Sequence, residues 1–161
     1  MDKRTNKENY YLDIAQTVSE RSTCLRRKYG AIIVQNDEII STGYNGAPRG
    51  RKNCDDLEYC TREAMNIPSG QRYELCRSVH AEANAIISAS RRELLGATLY
   101  MVCVDPKTGD LIPESTSCSM CRRLIINAGI ERLVIRDTPS SFRVVDVERE
   151  WIRDDDSLPQ S

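Results

Sequence analysis

The chain carries one histidine in 161 residues, and the surroundings of that histidine constrain the fold more than any other feature. His80 stands two positions before Glu82, at the start of an alanine- and isoleucine-rich stretch that is typical of a helix. Further along, Cys118 and Cys121 open a second helical pattern, with two residues between them. One imidazole and two thiolates are three good zinc ligands, one short of a tetrahedral set. Because a catalytic zinc leaves its fourth position to water, the pattern predicts a hydrolytic zinc enzyme.

All four residues are predicted to lie in the first turns of their helices. Positions i and i+3 share one helix face, so the sulfur atoms of Cys118 and Cys121 can point at one metal. The partial positive charge of a helix N-terminus also favours the thiolate that binds zinc. Glu82 is predicted to carry a proton beside the water rather than to fill the fourth ligand position. A lone histidine or a lone Cys-x-x-Cys is more often structural, and the combination makes the prediction specific.

Length and composition are those of an ordinary globular protein. With 40% hydrophobic and 29% charged residues, the 161 residues favour one domain, with 153–161 as a loose tail. The net charge of −1 provides no overall attraction to nucleic acid or anionic membranes, so neither is expected as a partner. No apolar signal segment or membrane-length apolar run stands out, which favours a cytoplasmic location.

The order of the predicted elements indicates an α/β fold. Hydrophobic periodicity predicts helices near 8–21, 80–92 and 119–128 and strands at 31–34, 39–44, 98–104 and 133–135. Turn residues between the first two strands indicate an antiparallel hairpin, whereas the later alternation of helix and strand describes a crossover with parallel strands. The apolar first two turns of the second helix predict burial on several sides. Residues 142–152 fit a strand or a helix.

The segment 45–77 shows little periodicity and is predicted to be a long loop. Loops of this length are uncommon in compact domains and are usually functional. A metal would keep such a loop folded by substituting for missing core. The seven cysteines of the chain are an odd number, so a complete disulfide framework is not expected. Cys103 lies in an apolar strand and fits a buried, inert thiol.

These motifs resemble the cytidine and deoxycytidylate deaminase superfamily, and most of all its bacterial and phage dCMP deaminases. Zinc-dependent nucleobase deaminases carry His-x-Glu followed by Pro-Cys-x-x-Cys. The resemblance covers about residues 8–137, and its segments are His80-Ala81-Glu82, Cys118-Ser119-Met120-Cys121, Arg21-Ser22-Thr23-Cys24, Gly30-Ala31-Ile32-Ile33-Val34, Gly43-Tyr44-Asn45-Gly46-Ala47-Pro48 and Ile125-Ile126-Asn127-Ala128-Gly129-Ile130. Two departures leave the ligands intact: Ser117 stands where the pattern has proline, and the stretch from Val104 to Ser117 is longer than usual.

The resemblance implies a three-layer α/β/α fold with a mixed five-stranded sheet, in a homo-oligomer. It implies hydrolysis of the 4-amino group of dCMP to give dUMP and ammonia, with zinc-bound hydroxide as nucleophile and Glu82 as proton shuttle. It also implies that Asn45 hydrogen-bonds the sugar and that the backbone N–H of Ala81 contacts the pyrimidine carbonyl. Members of the branch are often activated by dCTP and inhibited by dTTP, and Mg²⁺ would accompany such a triphosphate.

A second, structural zinc is expected near the long loop. Family members often carry one in this region, with cysteines that match Cys24 and Cys54, and here Cys60 and Cys76 would complete a four-cysteine set. Four thiolates on one zinc leave a formal charge of about −2, which requires nearby donors such as the arginines close in sequence. The alternative is a solvated basic surface with ordinary free thiols.

A nucleoside monophosphate also requires a cation for its phosphate. Arg26, with Arg27 and Arg49 as alternatives, is the candidate, because a guanidinium can form forked hydrogen bonds with a phosphate. Any one of these arginines is otherwise a surface residue or a donor to the cysteine sulfurs.

Two other functions fit the same motifs. One is deamination of a different substrate, such as adenosine in tRNA, free cytidine or a modified base. A tRNA-editing enzyme would require a basic surface, which the near-neutral charge does not favour. The other is a non-catalytic, zinc-stabilised nucleotide sensor, against which the presence of Glu82 argues, because a purely structural zinc has no use for a proton carrier.

Overall fold

A computed structural model describes residues 3–154 as a five-stranded sheet with helices on both faces. The elements in chain order are α1 (Lys7–Ser19), β1 (Lys28–Gln35), β2 (Glu38–Tyr44), α2 (Cys54–Leu57), α3 (Thr61–Ala64), a 3₁₀ turn (Tyr73–Leu75), α4 (Ala81–Ile87), α5 (Arg91–Leu94), β3 (Thr98–Val104), α6 (Ser119–Ala128), β4 (Arg132–Arg136), β5 (Phe142–Asp146) and a π-helix (Glu148–Ile152). The tail predicted at 153–161 lies, from residue 155 onward, outside the described residues.

The sheet is mixed, as the resemblance implies. Its strands lie in the order β2-β1-β3-β4-β5. β3 and β4 run parallel, and each of the other neighbouring pairs is antiparallel. The predicted hairpin of β1 and β2 and the predicted crossover through α6 are both confirmed. α6 therefore begins beyond the carboxyl end of β3, where ligand sites of α/β sheets usually lie.

Two apolar layers, one on each face of the sheet, form the core. Because successive strand side chains point to opposite faces, Ile32 and Val34 of β1 pack with Leu12 of α1, while Ala31 and Ile33 pack in the layer that α4 and α6 cover. β3 is buried on both faces from its second residue onward, which explains its nearly continuous apolar sequence. The three-layer α/β/α architecture is confirmed.

α4 lies directly on the backbone of β2 at Gly43. A Cβ at Gly43 would collide with the carbonyl oxygen of Ala81 and would lie 2.5 Å from the backbone nitrogen of Ala85. Ser41 of the same strand donates a hydrogen bond from its Oγ to the carbonyl oxygen of Ala85, at 2.7 Å. Because Gly43 has no side chain, α4, which begins directly after His80, can lie against the backbone of β2.

The single helix predicted at 80–92 is wrong, because the structure has two short helices there. α4 ends at Ile87, and Ser90 begins α5 with a capping box. The Oγ of Ser90 accepts from the backbone nitrogen of Glu93 at 3.3 Å, and the Oε1 of Glu93 accepts from the backbone nitrogen of Ser90 at 3.0 Å. This box supplies the partners that a helix start requires. The expected burial on several sides also fails at Ile87, which is 75% exposed.

The long loop predicted at 45–77 contains only α2, α3 and the 3₁₀ turn. Its two ends are held together, since Gly46 and Val79 exchange backbone hydrogen bonds of 3.2 and 2.7 Å. Residues 142–152, which fit a strand or a helix, form one of each: β5 and then the π-helix. Across residues 3–154, every helix is too short or too polar to cross a membrane.

We expect the Gly43→Ala variant to lose stability. Alanine normally stabilises a position where glycine has an ordinary backbone conformation, and the φ angle of Gly43 is not positive. Here the new Cβ forces α4 away from β2, so the free energy of unfolding should fall by roughly 1–3 kcal/mol or more. Urea denaturation of the metal-loaded protein measures this change. Thr42→Ala, at an exposed position of the same strand, is the matched control, and equal midpoints for the two variants would contradict the prediction.

Candidate metal centre

The first turns of α4 and α6 bring His80, Cys118 and Cys121 together. The Nδ1 of His80 lies 3.5 Å from the Sγ of Cys118 and 3.4 Å from the Sγ of Cys121. Ordinary bond lengths around a tetrahedral zinc separate such a nitrogen and sulfur by about 3.5 Å. Within the described part of the chain, these side chains form the one group of three or more His, Cys, Asp or Glu residues whose ligand atoms all lie within 4.8 Å of one another. The donor set fits zinc, and Nδ1 is the imidazole nitrogen that faces the two sulfur atoms.

Helix starts position all three ligands. His80 and Cys118 are the N-cap residues of α4 and α6, one place before the first turns in which the sequence predicted them. Neither side chain caps its own helix, so both remain available to a metal. Cys121 is fully buried, whereas His80 and Cys118 are half-buried. The ligand set therefore has an accessible side, as a catalytic site requires.

The pKa of each of the three side chains depends on its neighbours. A hydrogen bond with Cys121 lowers the pKa of Cys118 to about 4, and the same contact raises the pKa of Cys121. Burial lowers the pKa of His80, but hydrogen bonds with Cys118 and Cys76 outweigh it and raise this pKa to about 10. The site thus favours a thiolate beside an imidazolium. Zinc requires neutral imidazole and deprotonated sulfur, so its binding releases protons.

Glu82 lies beside this ligand set without belonging to it. Its side chain is buried, and its Oε2 accepts a hydrogen bond of 2.6 Å from the Oγ of Ser117. A contact with Glu82 also contributes to the raised pKa of Cys121, although less than the contact with Cys118. The sequence indicated Ser117 only as a departure from the family pattern. The position of Ser117 directly before the ligand Cys118 is the sequence signal that could have identified it as a site residue.

Tyr73 of the long loop packs against His80, and Arg62 packs on Tyr73; neither contact was predicted. The Tyr73 ring packs edge-on against the imidazole of His80, with 4.9 Å between ring centroids and an interplanar angle of 87°. The guanidinium carbon of Arg62 lies 4.2 Å from the centroid of the same tyrosine ring, and its Nη1 donates to the carbonyl oxygen of Gln71 at 3.0 Å. Because this segment lacks periodicity, the sequence carried no signal for either contact.

A cavity of about 1320 Å³ opens beside the ligand set, above the range of about 300–1,000 Å³ that is usual for small-molecule pockets. His80, Glu82 and Cys118 line one part of it. The basic residues among its lining include Arg26, Arg27, Lys28, Arg62, Arg77 and Lys107. Acidic residues line it in nearly equal number, namely Asp55, Glu58, Glu63, Glu82, Asp105 and Glu114. The volume suits a small molecule, and attraction of an anion would depend on individual basic side chains rather than on the overall charge of the lining.

Asn45 lines the cavity, but its side chain is engaged in holding the chain after α1. Its Oδ1 accepts from the Oγ of Ser22 at 2.5 Å and from the backbone nitrogen of Tyr29 at 2.9 Å. Its Nδ2 donates to the carbonyl oxygen of Arg27 at 2.9 Å. An amide nitrogen has two hydrogens, so one donor is left for a ligand. The role of Asn45 as a sugar ligand stays a prediction.

Ala81 and Arg26 also keep their predicted roles as predictions. Ala81 is the first residue of α4, where backbone N–H groups have no partner within the helix. The Nε of Arg26 pairs with the Oε1 of Glu63 at 2.9 Å, so a phosphate would compete with that carboxylate. Arg27 lines the cavity as well, whereas Arg49 is not among its lining residues.

Four more cysteines line the cavity, but among residues 3–154 they do not form a compact group of metal ligands. These are Cys24, Cys54, Cys60 and Cys76, and within the described part of the chain no three of their sulfur atoms all lie within 4.8 Å of one another. The backbone nitrogen of Arg26 donates a hydrogen bond of 3.5 Å to the Sγ of Cys24. The sequence-predicted second zinc stays a prediction.

The ligand set and the sheet together define the class: this is a zinc-binding α/β protein. The family model described as "Cytidine and deoxycytidylate deaminase zinc-binding region" matches residues 5–136. The chain belongs to this family.

Within this family, the chain is similar to several proteins named deoxycytidylate deaminase. The chain is 38% identical over 136 residues to the deoxycytidylate deaminase of Mycobacterium phage D29, covering 81% of this chain and 94% of that protein. It is 30% identical over 131 residues to the deoxycytidylate deaminase of Schizosaccharomyces pombe, covering 81% of this chain but only 37% of the longer yeast protein. A crystal structure of the dCMP deaminase from cyanophage S-TIM5 in complex with dCMP and dUMP aligns with a TM-score of 0.55 and 25% identity, over 83% of this chain and 84% of that chain.

We expect the Cys121→Ser variant to lose the zinc of this centre. A serine oxygen is a far poorer zinc ligand than a thiolate, so the purified variant should contain about one zinc per chain less than the unsubstituted protein. Metal analysis after dialysis measures the difference. Cys103→Ser is the matched control, because Cys103 is equally buried and burial raises its pKa to about 11. Equal zinc content in both variants would contradict the assignment.

Proposed function

We propose that the protein hydrolyses dCMP to dUMP and ammonia. The observation that carries the proposal is the buried carboxylate of Glu82 beside three zinc ligands, in a chain of this family. A structural zinc has no use for such a carboxylate, whereas hydrolytic removal of an amino group requires a group that moves protons. The relatives named deoxycytidylate deaminase, and the cyanophage enzyme bound to dCMP and dUMP, support this substrate.

His80, Cys118 and Cys121 would hold the metal through Nδ1 and the two sulfurs. When bound, zinc supplies a Lewis acid that activates water at near-neutral pH. Glu82 accepts the first proton that water loses and delivers it to the ring nitrogen N3. It then takes the remaining proton from the hydroxyl added at C4 and delivers it to the amino group, which leaves as ammonia while the C4 carbonyl forms. Water and dCMP give dUMP and ammonia, so Glu82 ends each cycle as the carboxylate with which it began.

The two oxygens of Glu82 differ in their partners. Because Oε2 accepts a hydrogen bond from the hydroxyl of Ser117, we propose Oε1 as the oxygen that transfers protons between water and the pyrimidine. Because Glu82 is buried, bulk water does not compete for its lone pairs. For the substrate contacts, we propose Asn45 at the sugar, the N–H of Ala81 at the pyrimidine carbonyl, and Arg26 at the phosphate.

We further propose the structural zinc at Cys24, Cys54, Cys60 and Cys76. Burial is the main cause that raises the pKa of Cys54, and the three neighbouring sulfurs raise it further, so these thiols are close enough to influence one another. A zinc would bring the sulfurs to about 3.8 Å from one another. The homo-oligomer, the dCTP and dTTP effectors, Mg²⁺ and the cytoplasmic location stay predictions from the sequence.

A substrate panel tests the proposed reaction. Zinc-loaded protein is incubated separately with dCMP, dCTP, cytidine, deoxycytidine and an adenosine-containing tRNA, and loss of the amino group is followed by absorbance or by ammonia release. We expect dCMP to be turned over with the highest kcat/KM, both with and without dCTP as an added effector. Preference for another substrate would reassign the substrate, and no turnover of any would favour the nucleotide sensor.

Removal of the proton carrier provides a sharper prediction for the same assay. We expect Glu82→Gln, which keeps size but cannot accept the proton, to retain zinc and lose kcat by about 10²–10⁴-fold or more. Glu38→Gln, at an exposed glutamate of β2 outside the cavity lining, is the control and should keep its activity. A Glu82→Gln variant with near-normal turnover would remove the shuttle from the mechanism.

Zinc counting tests the second metal. We expect two zinc ions per unsubstituted chain and one in Cys24→Ser, because loss of one thiolate opens a four-ligand site. The same substitution should lower the thermal midpoint, since the metal helps to fold the loop 45–77. A content of one zinc per unsubstituted chain would discard the four-cysteine site while leaving the His80 site intact.

A further inference from the structure

The hydroxyl of Ser117 and the carboxylate of Glu82 form a buried hydrogen bond between the loop before α6 and the first turn of α4. The Oγ of Ser117 donates to Oε2 of Glu82 at 2.6 Å, and the two residues are 2% and 4% exposed. A donor to a carboxylate at this distance is short, as charge-assisted hydrogen bonds are. The family signature has proline at this place, and proline offers no hydroxyl.

The backbone of Ser117 is itself held from the α6 side. The carbonyl oxygen of Ser117 accepts a hydrogen bond of 3.1 Å from the Nε of Arg122. The guanidinium of Arg122 lies 5.0 Å from the ring centroid of Trp151, a buried residue of the π-helix. This places the serine on a fixed peptide rather than on a loose loop.

A second clamp holds the same loop two residues earlier. The Nη2 of Arg143 donates to the carbonyl oxygen of Ser115 at 2.5 Å, and its Nε pairs with Oδ2 of Asp137 at 2.8 Å. Asp137 also accepts from the backbone nitrogen of Glu114 at 2.8 Å through its other oxygen, Oδ1. The long stretch before Cys118 is therefore tied to β5 and to Asp137, which directly follows β4.

We propose that Ser117 is a positioning residue for Glu82: its hydroxyl holds Oε2 and thereby turns Oε1 toward the reacting atoms. This inference deepens the proposed deamination and rests on it for its catalytic meaning. A glutamate side chain has several rotamers of similar energy, and a misplacement of about 1 Å in a reacting group can lower a rate about 100-fold. The proline of the family signature has no hydroxyl and cannot perform this task.

A purely structural role for the hydroxyl is the alternative, and the chain supplies a matched control for it. Ser115 lies in the same loop and is 4% exposed, and its Oγ has no hydrogen-bond partner among residues 3–154. Ser115→Ala therefore removes an equally buried hydroxyl from the same clamped loop without touching Glu82.

The test compares unsubstituted protein, Ser117→Ala, Ser117→Thr and Ser115→Ala, all loaded with zinc. We expect Ser117→Ala to keep its zinc content and its KM for dCMP while kcat falls by about 10- to 100-fold. Ser117→Thr keeps the hydroxyl and should restore most of kcat, and Ser115→Ala should match the unsubstituted protein. A normal kcat in Ser117→Ala, or equal losses in Ser117→Ala and Ser115→Ala, would overturn the inference.

Crystal structures of the zinc-loaded protein and of Ser117→Ala decide the geometry independently of turnover. We expect Glu82 in the variant to occupy another rotamer or to shift its carboxylate by about 1 Å. An unchanged carboxylate would overturn the inference even if dCMP is a good substrate. Conversely, a shifted carboxylate in a protein that deaminates no nucleotide would support the positioning role and reject the proposed function.

Discussion

The backbone contact between α4 and β2 is the constraint on which the site depends. Glycine at position 43 lets the helix approach until its first turn nearly touches the strand, and His80 lies directly before that turn. α6 begins on the same side because it follows β3 in a crossover to the parallel strand β4. Neither helix start alone offers three ligands. Because the two helix starts lie together, Nδ1 of His80 is within 3.5 Å of the sulfur atoms of Cys118 and Cys121.

Around this meeting point, polar groups are held by partners rather than exposed to solvent. A buried carboxylate is unfavourable unless it is hydrogen-bonded, and Ser117 supplies the donor for Glu82. Asn45, which also lines the cavity, performs a similar task by binding the chain at Ser22 and Tyr29. Such preorganisation is what an electrostatic catalytic site requires, since groups already in place need no rearrangement during the reaction.

Periodic segments were predicted well from the sequence, and segments held by side-chain contacts were not. The apolar runs of β3 and β4 and the amphipathic α1 were identified because burial on a sheet or helix face imposes a repeat. The helix expected at 80–92 was wrong because the capping box of Ser90 and Glu93 outweighs a continuous apolar pattern. In the segment 45–77, the contact of Tyr73 with His80 depends on chain folding that leaves no repeat in the sequence.

By itself, the sequence determined the chemistry: one imidazole, a Cys-x-x-Cys pair and a nearby carboxylate, each at the start of a helix, leave few uses other than a zinc site. Ligand type and spacing along a helix are local properties, and local properties can be read from a chain. Only the tertiary structure decided which imidazole nitrogen faces the sulfurs and that the serine in the place of a proline reaches Glu82. These outcomes depend on how two distant helix starts approach each other, and that approach is set by packing across the sheet.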